Sequence, residues 1–477
     1  MSKRQRLIIM ILAIGDVVVF LLLGAAILYG FLNRPAGPVS PSADLAAPPT
    51  PTEGLPPTWT PSPTSVPEAS ASPTPTPTPR PLTPEEAEVL DQVEGQVVAL
   101  RGLVPLRPVA RWVLNETQFH LRVAHRYQQS EEQEALQRAA IVLTAFDWLV
   151  PGTDIDRIWQ GLLREQVTGF YDPRAEAIYL ISNAEISDVH DQVVFAHELD
   201  HALQDQYFDL EGMGMSSVDW ATLAPADRSL ALRALVEGDA MVLQERYIEQ
   251  VLTDADRLAL QQELERAPHV RLDAAPKAVR EMFLFPYTYG ESFATALYER
   301  EGWAAINGAY AAPPTSTEQI LHPDRYLAGD APIPVPIPDL QPGLGDEWTL
   351  VHEGTLGEFW LRLYLENRLE PTRVVTATEG WGGDYGVVYF NRTSGETVLA
   401  LRSVWDTMED ADEFYRTAVA YGEARFGRAA DEQYNGWDCW DGESAALCVT
   451  WQQGYVSLVR GPNLLIVEAL ADLLLEE

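Results

Sequence analysis

Basic residues and cysteines are what this chain has least of. Lys and Arg total 33 against 70 Asp and Glu, a net charge of −37 at pH 7. A surface so acidic repels a phosphate backbone, which excludes nucleic acid as the expected partner. The charge favours solubility and carries no information about fold. The two cysteines, Cys439 and Cys448, stand far along the chain from the histidine pattern described below, which argues against a thiolate metal centre. With 477 residues, two or three domains fit.

Charge is also nearly absent from residues 7–32, LIIMILAIGDVVVFLLLGAAILYGFL, apolar apart from Asp16. The run is long enough to span ~30 Å of hydrocarbon as a helix. The preceding MSKRQR carries three basic groups, which places the N-terminus in the cytoplasm and everything after Asn33 outside. No small-x-small cleavage site follows closely, and no cysteine is at hand for lipidation. The reading is an uncleaved signal-anchor rather than a cleaved signal peptide. Residues 35–84 hold 17 of the 35 prolines. Such a stretch builds no core and is expected to be a PPII-rich stalk. At ~3.1 Å per residue it reaches up to roughly 150 Å from a bilayer.

Ordered structure is expected from Thr83-Pro84-Glu85-Glu86, where Thr83 caps, Pro84 suits the first turn and Glu86 completes a capping box. Helical patterns follow over 84–101, 108–127 and 130–149, punctuated by Pro105, Pro108 and Pro151-Gly152. His120 and His125 converge on no metal pattern and read as structural or surface residues. Two β-like runs, 166–171 and 177–182, read as a hairpin. Beside an active-site helix, its edge can hold an extended peptide by strand addition; a plain core hairpin is the alternative.

The chain is organised around VVFAHELDHALQDQYF, residues 193–208. Ser187 or Asp188 caps a helix there. Val189, Val193, Ala196, Leu199 and Leu203 supply an apolar stripe. His197 and His201, four apart, project from one face and can close on a single metal at ~2.0–2.1 Å. Glu198 is too offset to be a ligand but can touch a water held on that metal, the arrangement of a zinc hydrolase with a glutamate base. The alternative is an ordinary amphipathic helix. A catalytic zinc normally takes three protein ligands. Residues 230–248 form a second strong helix in which Glu237 is an acid in an apolar stretch. An unpartnered acid there is expensive to bury. Its neighbour Gly238 costs helix stability, roughly 1 kcal/mol against Ala, which makes sense where two helices approach closely. His197, His201 and Glu237 then complete a His₂Glu site for one Zn²⁺.

HELDHALQDQYF followed by ALVEGDA resembles the gluzincins, the glutamate-type zincin metallopeptidases. More narrowly, it is similar to bacterial membrane-anchored metallopeptidases with a HExxHALQDQ helix and a downstream EGDA helix. The similarity runs from about residue 85 to the C-terminus. It takes in GFYDP (169–173), FPYTYG (285–290), STEQILHP (316–323) and GWGGDYG (380–386). The resemblance implies a peptide or protein substrate. One departure stands out. Well-known gluzincins place an acid one turn after the third ligand to orient a histidine, and here that position is Met241. Asp239 lies on the opposite helix face. Asp205, one turn after His201, is the candidate partner of the imidazole, with a solvated helix-end carboxylate as the alternative. The oxyanion donor such a peptidase needs is sought among Tyr287, Tyr289 and His322.

Residues 252–266 suggest another helix, and 285–290 a break before a helix from Glu291. The Pro-rich 332–342 reads as a linker or edge strand. Beyond it come a helix near 356–368, β-like runs near 386–391 and 396–401, and a helix over 409–426. A hairpin follows over 436–451, and 464–476 ends the chain as strand or helix. Cys439 and Cys448 face each other across that hairpin, which outside the cytoplasm permits a disulfide; two free buried thiols are the alternative. His352-Glu353 lacks a second histidine and is no metal motif.

The expected fold class is α+β: a mainly helical zincin-like domain with a small hairpin or sheet, then a small C-terminal α+β domain. The expected divisions are a cytoplasmic tail (1–6), transmembrane anchor (7–32), linker (33–83), peptidase domain (84–331) and C-terminal domain (332–477). The expected activity is that of a membrane-tethered extracytoplasmic zinc metallopeptidase, with Glu198 as base, His197, His201 and Glu237 as ligands, and Tyr287 or His322 assisting. A stalked binding or adhesion protein with a degenerate peptidase fold, and a zinc hydrolase of a non-peptide amide, are the rival readings.

Overall fold

The computed structural model describes residues 78–126, 130–215, 226–267, 269–431 and 434–475. The apolar run 7–32 and all but the end of the Pro-rich stretch lie outside them. Among the described residues no helix is long and apolar enough to cross a membrane.

The chain is α+β. Its first part runs α1 (Pro84–Arg101), β1 (Ala110–Leu114), α2 (Glu116–Arg126), α3 (Ser130–Ala145), α4 (Ile155–Gln166), β2 (Gly169–Asp172), β3 (Ala177–Ile181) and α5 (Val189–Phe208). Next come α6 (Asp227–Gln250), α7 (Asp254–Leu264), α8 (Val270–Ala274), α9 (Lys277–Glu301), α10 (Trp303–Ala311), α11 (Thr317–Leu321) and α12 (Pro323–Ala328). The rest comprises β4 (Trp348–Gly354), α13 (Glu358–Glu366), α14 (Pro371–Thr378), β5 (Trp381–Asn391), β6 (Thr397–Trp405), α15 (Met408–Phe426), β7 (Asp438–Asp441), β8 (Ala446–Gln452), β9 (Tyr455–Gly461) and α16 (Leu464–Leu475).

The capping box at Thr83 and Glu86 forms, and Gly102 closes α1 in the left-handed region at φ 74°. The helix expected over 108–127 does not run through. Residues 110–114 are a strand, parallel to β3, and α2 starts only after Asn115. Asn115 caps it: its Oδ1 accepts the Gln118 amide at 2.8 Å, while Gln118 returns a bond to the Asn115 amide. The bulky Trp112 and Val113 upstream suit a pleated surface. The resulting three-stranded sheet has order β1-β3-β2, so β2 is an edge.

The break expected at 285–290 is also absent. Pro286 and Gly290 both lie inside the continuous helix α9. Pro286 forfeits one backbone bond, but α9 is held from outside. Phe285 packs on Phe359 at 4.2 Å, and Gly290 seats directly on the backbone of α6 at Ala234 and Gly238. Gly238 therefore does mark a close helix approach, with α9 as the partner.

The second part is a six-stranded antiparallel sheet, β4-β5-β6-β9-β8-β7, with α15 and α16 packed on it. Cys439 and Cys448 stand directly opposite in the β7–β8 hairpin and are joined by a disulfide, both buried. Residues 464–475 are helical. The Pro-rich 332–340 forms no strand but ties to the sheet through the Ile333 amide on Gly382 O, 2.8 Å. An aromatic and ionic seam links the helical part to the sheet part. Trp148 Nε1 donates to Leu363 O at 3.2 Å, and Asp147 pairs with Arg425 and Arg460 at 2.9 and 2.8 Å.

Candidate metal centre

Helix α5 begins as expected, with Asp188 Oδ1 accepting the Asp191 amide at 2.8 Å. Its interior is not amphipathic in place: every residue from Val193 to Gln204 is buried, polar ones included. Helix α6 lies against it and is buried from Ala234 to Gln244.

Three donor atoms meet between these helices. His197 Nε2 and His201 Nε2 are 3.1 Å apart, and Glu237 Oε2 lies 3.4 Å from the first and 3.3 Å from the second. A tetrahedral metal with ~2.0–2.1 Å bonds spaces neighbouring donors about 3.3–3.4 Å apart. The three atoms thus already form one face of such a tetrahedron. The rings stand at 87° to each other, so both lone pairs reach one point without stacking. Glu237 Oε2 is buried and faces the two imidazole nitrogens, with no other hydrogen-bond partner among the described residues, which suits a metal-binding oxygen.

The electrostatics agree. Burial alone would lower the His201 imidazole, but Glu237, followed by Glu198, outweighs it and pushes it up to about 10. Burial would likewise raise Glu237, but His201 and His197 hold its carboxyl well below the usual range. A divalent ion held by these atoms would compete with protons for them.

Glu198 lies between His197 and His201 in sequence and is buried with them. Glu198 Oε2 accepts the Tyr171 amide at 2.7 Å. That amide belongs to the edge strand β2, whose approach to α5 depends on Gly169. A Cβ there would lie 2.5 Å from Val194 Cγ1 and 3.4 Å from Glu198 Cγ.

A layer of buried polar groups backs the triangle of donor atoms. His201 Nδ1 lies 2.9 Å from Gln204 Oε1. Gln204 Nε2 donates to Asp200 Oδ2 (3.2 Å) and to Val236 O (3.0 Å). Asp200 Oδ1 is 3.2 Å from Arg101 Nε, and Arg101 Nη2 pairs with Asp239 Oδ2 at 2.8 Å, as does the Tyr310 hydroxyl. Trp303 lies over the guanidinium, 4.5 Å from centroid to carbon. This corrects the expectation for Asp205, whose Oδ2 accepts the Tyr171 hydroxyl at 2.8 Å; the imidazole's partner is Gln204. Asp239 faces away from the triangle, toward Arg101.

The assisting candidates are less concentrated. His322 Nε2 lies 2.9 Å from Glu358 Oε2, which raises the imidazole above its ordinary value. Tyr287 is half-buried on α9, beside Phe283. His352 is a half-buried strand residue whose imidazole is pushed down to about 4 by desolvation, in keeping with a neutral histidine. Reading the sequence alone missed Gln204, Arg101 and the Tyr171 amide. Gln204, three residues past His201 on the same helix, was the one with a local signal.

Comparison with known families adds one finding. A domain of unknown function (DUF8575) matches residues 348–471, the six-stranded sheet with its helices. No curated protein and no solved structure matches the chain.

Proposed function

We propose that this protein is a zinc-dependent metallopeptidase of gluzincin type, tethered by residues 7–32 and working outside the membrane on peptide or protein substrates. The observation that carries the proposal is the triangle of His197 Nε2, His201 Nε2 and Glu237 Oε2, 3.1–3.4 Å on a side, with Glu198 beside it. His197, His201 and Glu237 would hold the ion. Zinc bound there supplies Lewis acidity toward water and a substrate carbonyl.

Glu198 points away from the triangle by the ~100° step between adjacent helical residues. It accepts a proton from the attacking water and passes it to the leaving amine. The Tyr171 amide fixes one of its oxygens and so the orientation of the carboxylate. The outer edge of β2 lies beside it, where an extended peptide can pair. Tyr287 and His322 remain the candidates for stabilising developing oxyanion charge, and the membrane tether rests on the sequence.

The test is digestion of a peptide library by wild type and Glu198→Gln. The variant should keep its zinc and cleave at least ~100-fold more slowly, because it keeps the size but not the basicity of the carboxylate. Near-wild-type turnover in Glu198→Gln, or a wild-type protein that takes up no zinc, rules the proposal out.

A further inference from the structure

We infer that Gln204 is the residue that positions the ligand His201, acting as a two-armed tether: one arm selects the nitrogen that faces the site, the other locks α5 to α6 beside Glu237. The inference rests on reading the site as a metal centre.

The first arm follows from what each partner can donate. Val236 O is a backbone carbonyl and can only accept, so the Gln204 NH₂ must face it, at 3.0 Å. The carbonyl end of the amide then faces His201 Nδ1 at 2.9 Å, and this nitrogen must carry a proton. The imidazole is thereby held with Nε2 toward His197 and Glu237. No described residue does the same for His197, whose Nδ1 is buried without a hydrogen-bond partner among the described residues. Of the two imidazoles, His201 is the one whose orientation is built in.

The second arm sets spacing. Val236 immediately precedes Glu237, so the bond from Gln204 Nε2 ties the helix carrying both histidines to the backbone carrying the third ligand. The NH₂ is itself aimed from behind. It also reaches Asp200 Oδ2 at 3.2 Å, and Arg101 holds Asp200 on α5 and Asp239 on α6 together. Gln204, Asp200, Asp239 and Arg101 are all essentially inaccessible to solvent. A carboxylate in place of Gln204 could still accept from Nδ1–H. It could not donate to Val236 O, and it would face Asp200 with like charge.

Two substitutions separate the arms. Gln204→Leu removes both; Gln204→Glu keeps the acceptor and abolishes the donor. Zinc affinity of the full chain is read by competition with a chromophoric chelator, the visible spectrum of the cobalt-loaded protein reports ligand geometry, and urea unfolding in EDTA reports the metal-free fold. Gln204→Leu should bind zinc about 10–100-fold more weakly, the usual range for groups that orient a ligand. Gln204→Glu should lose affinity too and shift the cobalt bands, while the metal-free midpoint falls less than the affinity does. Zinc affinity within twofold of wild type in Gln204→Leu overturns the tether. Should that variant not fold, wild-type affinity and spectrum in Gln204→Glu overturn it equally. A loss of zinc binding fully matched by lost metal-free stability makes Gln204 a folding residue and also refutes it. If wild type itself takes up no zinc, the metal reading fails and this inference with it; if wild type binds and the variants bind alike, the tether alone fails.

Discussion

Replacing Gly238 by alanine should destabilise this protein although it improves the helix. In an exposed helix the change gains about 1 kcal/mol. Here a Cβ on Gly238 would lie 2.1 Å from the Gly290 carbonyl oxygen and 2.3 Å from its carbon. Both are backbone atoms, so no rotamer relieves the clash. Restoring a contact near 3 Å requires α6 and α9 to separate by about 1 Å. The crossing is tight from both sides: a Cβ on Gly290 would meet Ala234 O at 2.2 Å. Overpacking costs about 1–3 kcal/mol where neighbours can adjust, and backbone against backbone sits at the upper end of that range or beyond. Net of the propensity gain, the loss is about 2 kcal/mol. Urea unfolding of the metal-free protein measures it as a lower midpoint at unchanged slope. The same displacement reaches Glu237, the adjacent residue, whose Oε2 must stay 3.3–3.4 Å from two imidazole nitrogens. Zinc affinity should therefore fall more than about tenfold, a loss on the scale of disturbed ligand support. A Gly238→Ala protein as stable as wild type, with its zinc affinity intact, would refute the close-crossing argument.

Two further outcomes can be measured on the metal-free protein. Glu86 is lowered from 4.5 to about 2, by Arg80 first and, against the effect of burial, by the Ile186 and Thr83 amides; its contribution is therefore complete above about pH 4.5 and lost as pH falls through 2. Discounted for the half-open Arg80, Glu86→Gln should cost about 2 kcal/mol at pH 7 and only a few tenths near pH 2, so an equal loss at both pH values contradicts the ion-pair account. Removing the Cys439–Cys448 disulfide, which closes a loop nine residues apart in sequence, should lower stability by about 2–3 kcal/mol without changing zinc uptake in Cys439→Ala/Cys448→Ala; unchanged thermal unfolding would contradict it.

The sequence revealed those features whose cause is local. The Thr83 and Asp188 caps, the His197–His201 spacing and the facing cysteines each depend on a few neighbouring residues, and each is present. Errors arose where a distant partner decides. Residues 110–114 read as helix because their strand identity depends on parallel pairing with 177–181, some 67 residues away. FPYTYG read as a break because Pro and Gly are local breakers, but α6 makes the glycine a contact surface. Arg101 showed only as a basic residue ending α1, which suits a helix C-terminus on its own. Its role depends on Asp200 and Asp239, carried by two other helices.

Helix α5 presents a final physical question. A helix buried on all sides is ordinarily apolar all round. This one buries His197, Glu198, Asp200, His201 and Gln204 within eight residues. Burying such groups is costly even when they are paired, and replacing buried ion pairs with apolar residues is often neutral or stabilising. Stability alone therefore gives no reason for this composition. The pattern of partners does: Glu198 is held by a strand amide, His201 by Gln204, Gln204 by Asp200 and Val236 O, and Asp200 by Arg101. Each bond restrains a side chain whose orientation matters at the His197–His201–Glu237 triangle, and together they leave the two Nε2 atoms and Glu237 Oε2 facing one another. A buried polar network that converges on three donor atoms at metal-ligand spacing is what a site must have if its geometry is to be fixed before any ion arrives.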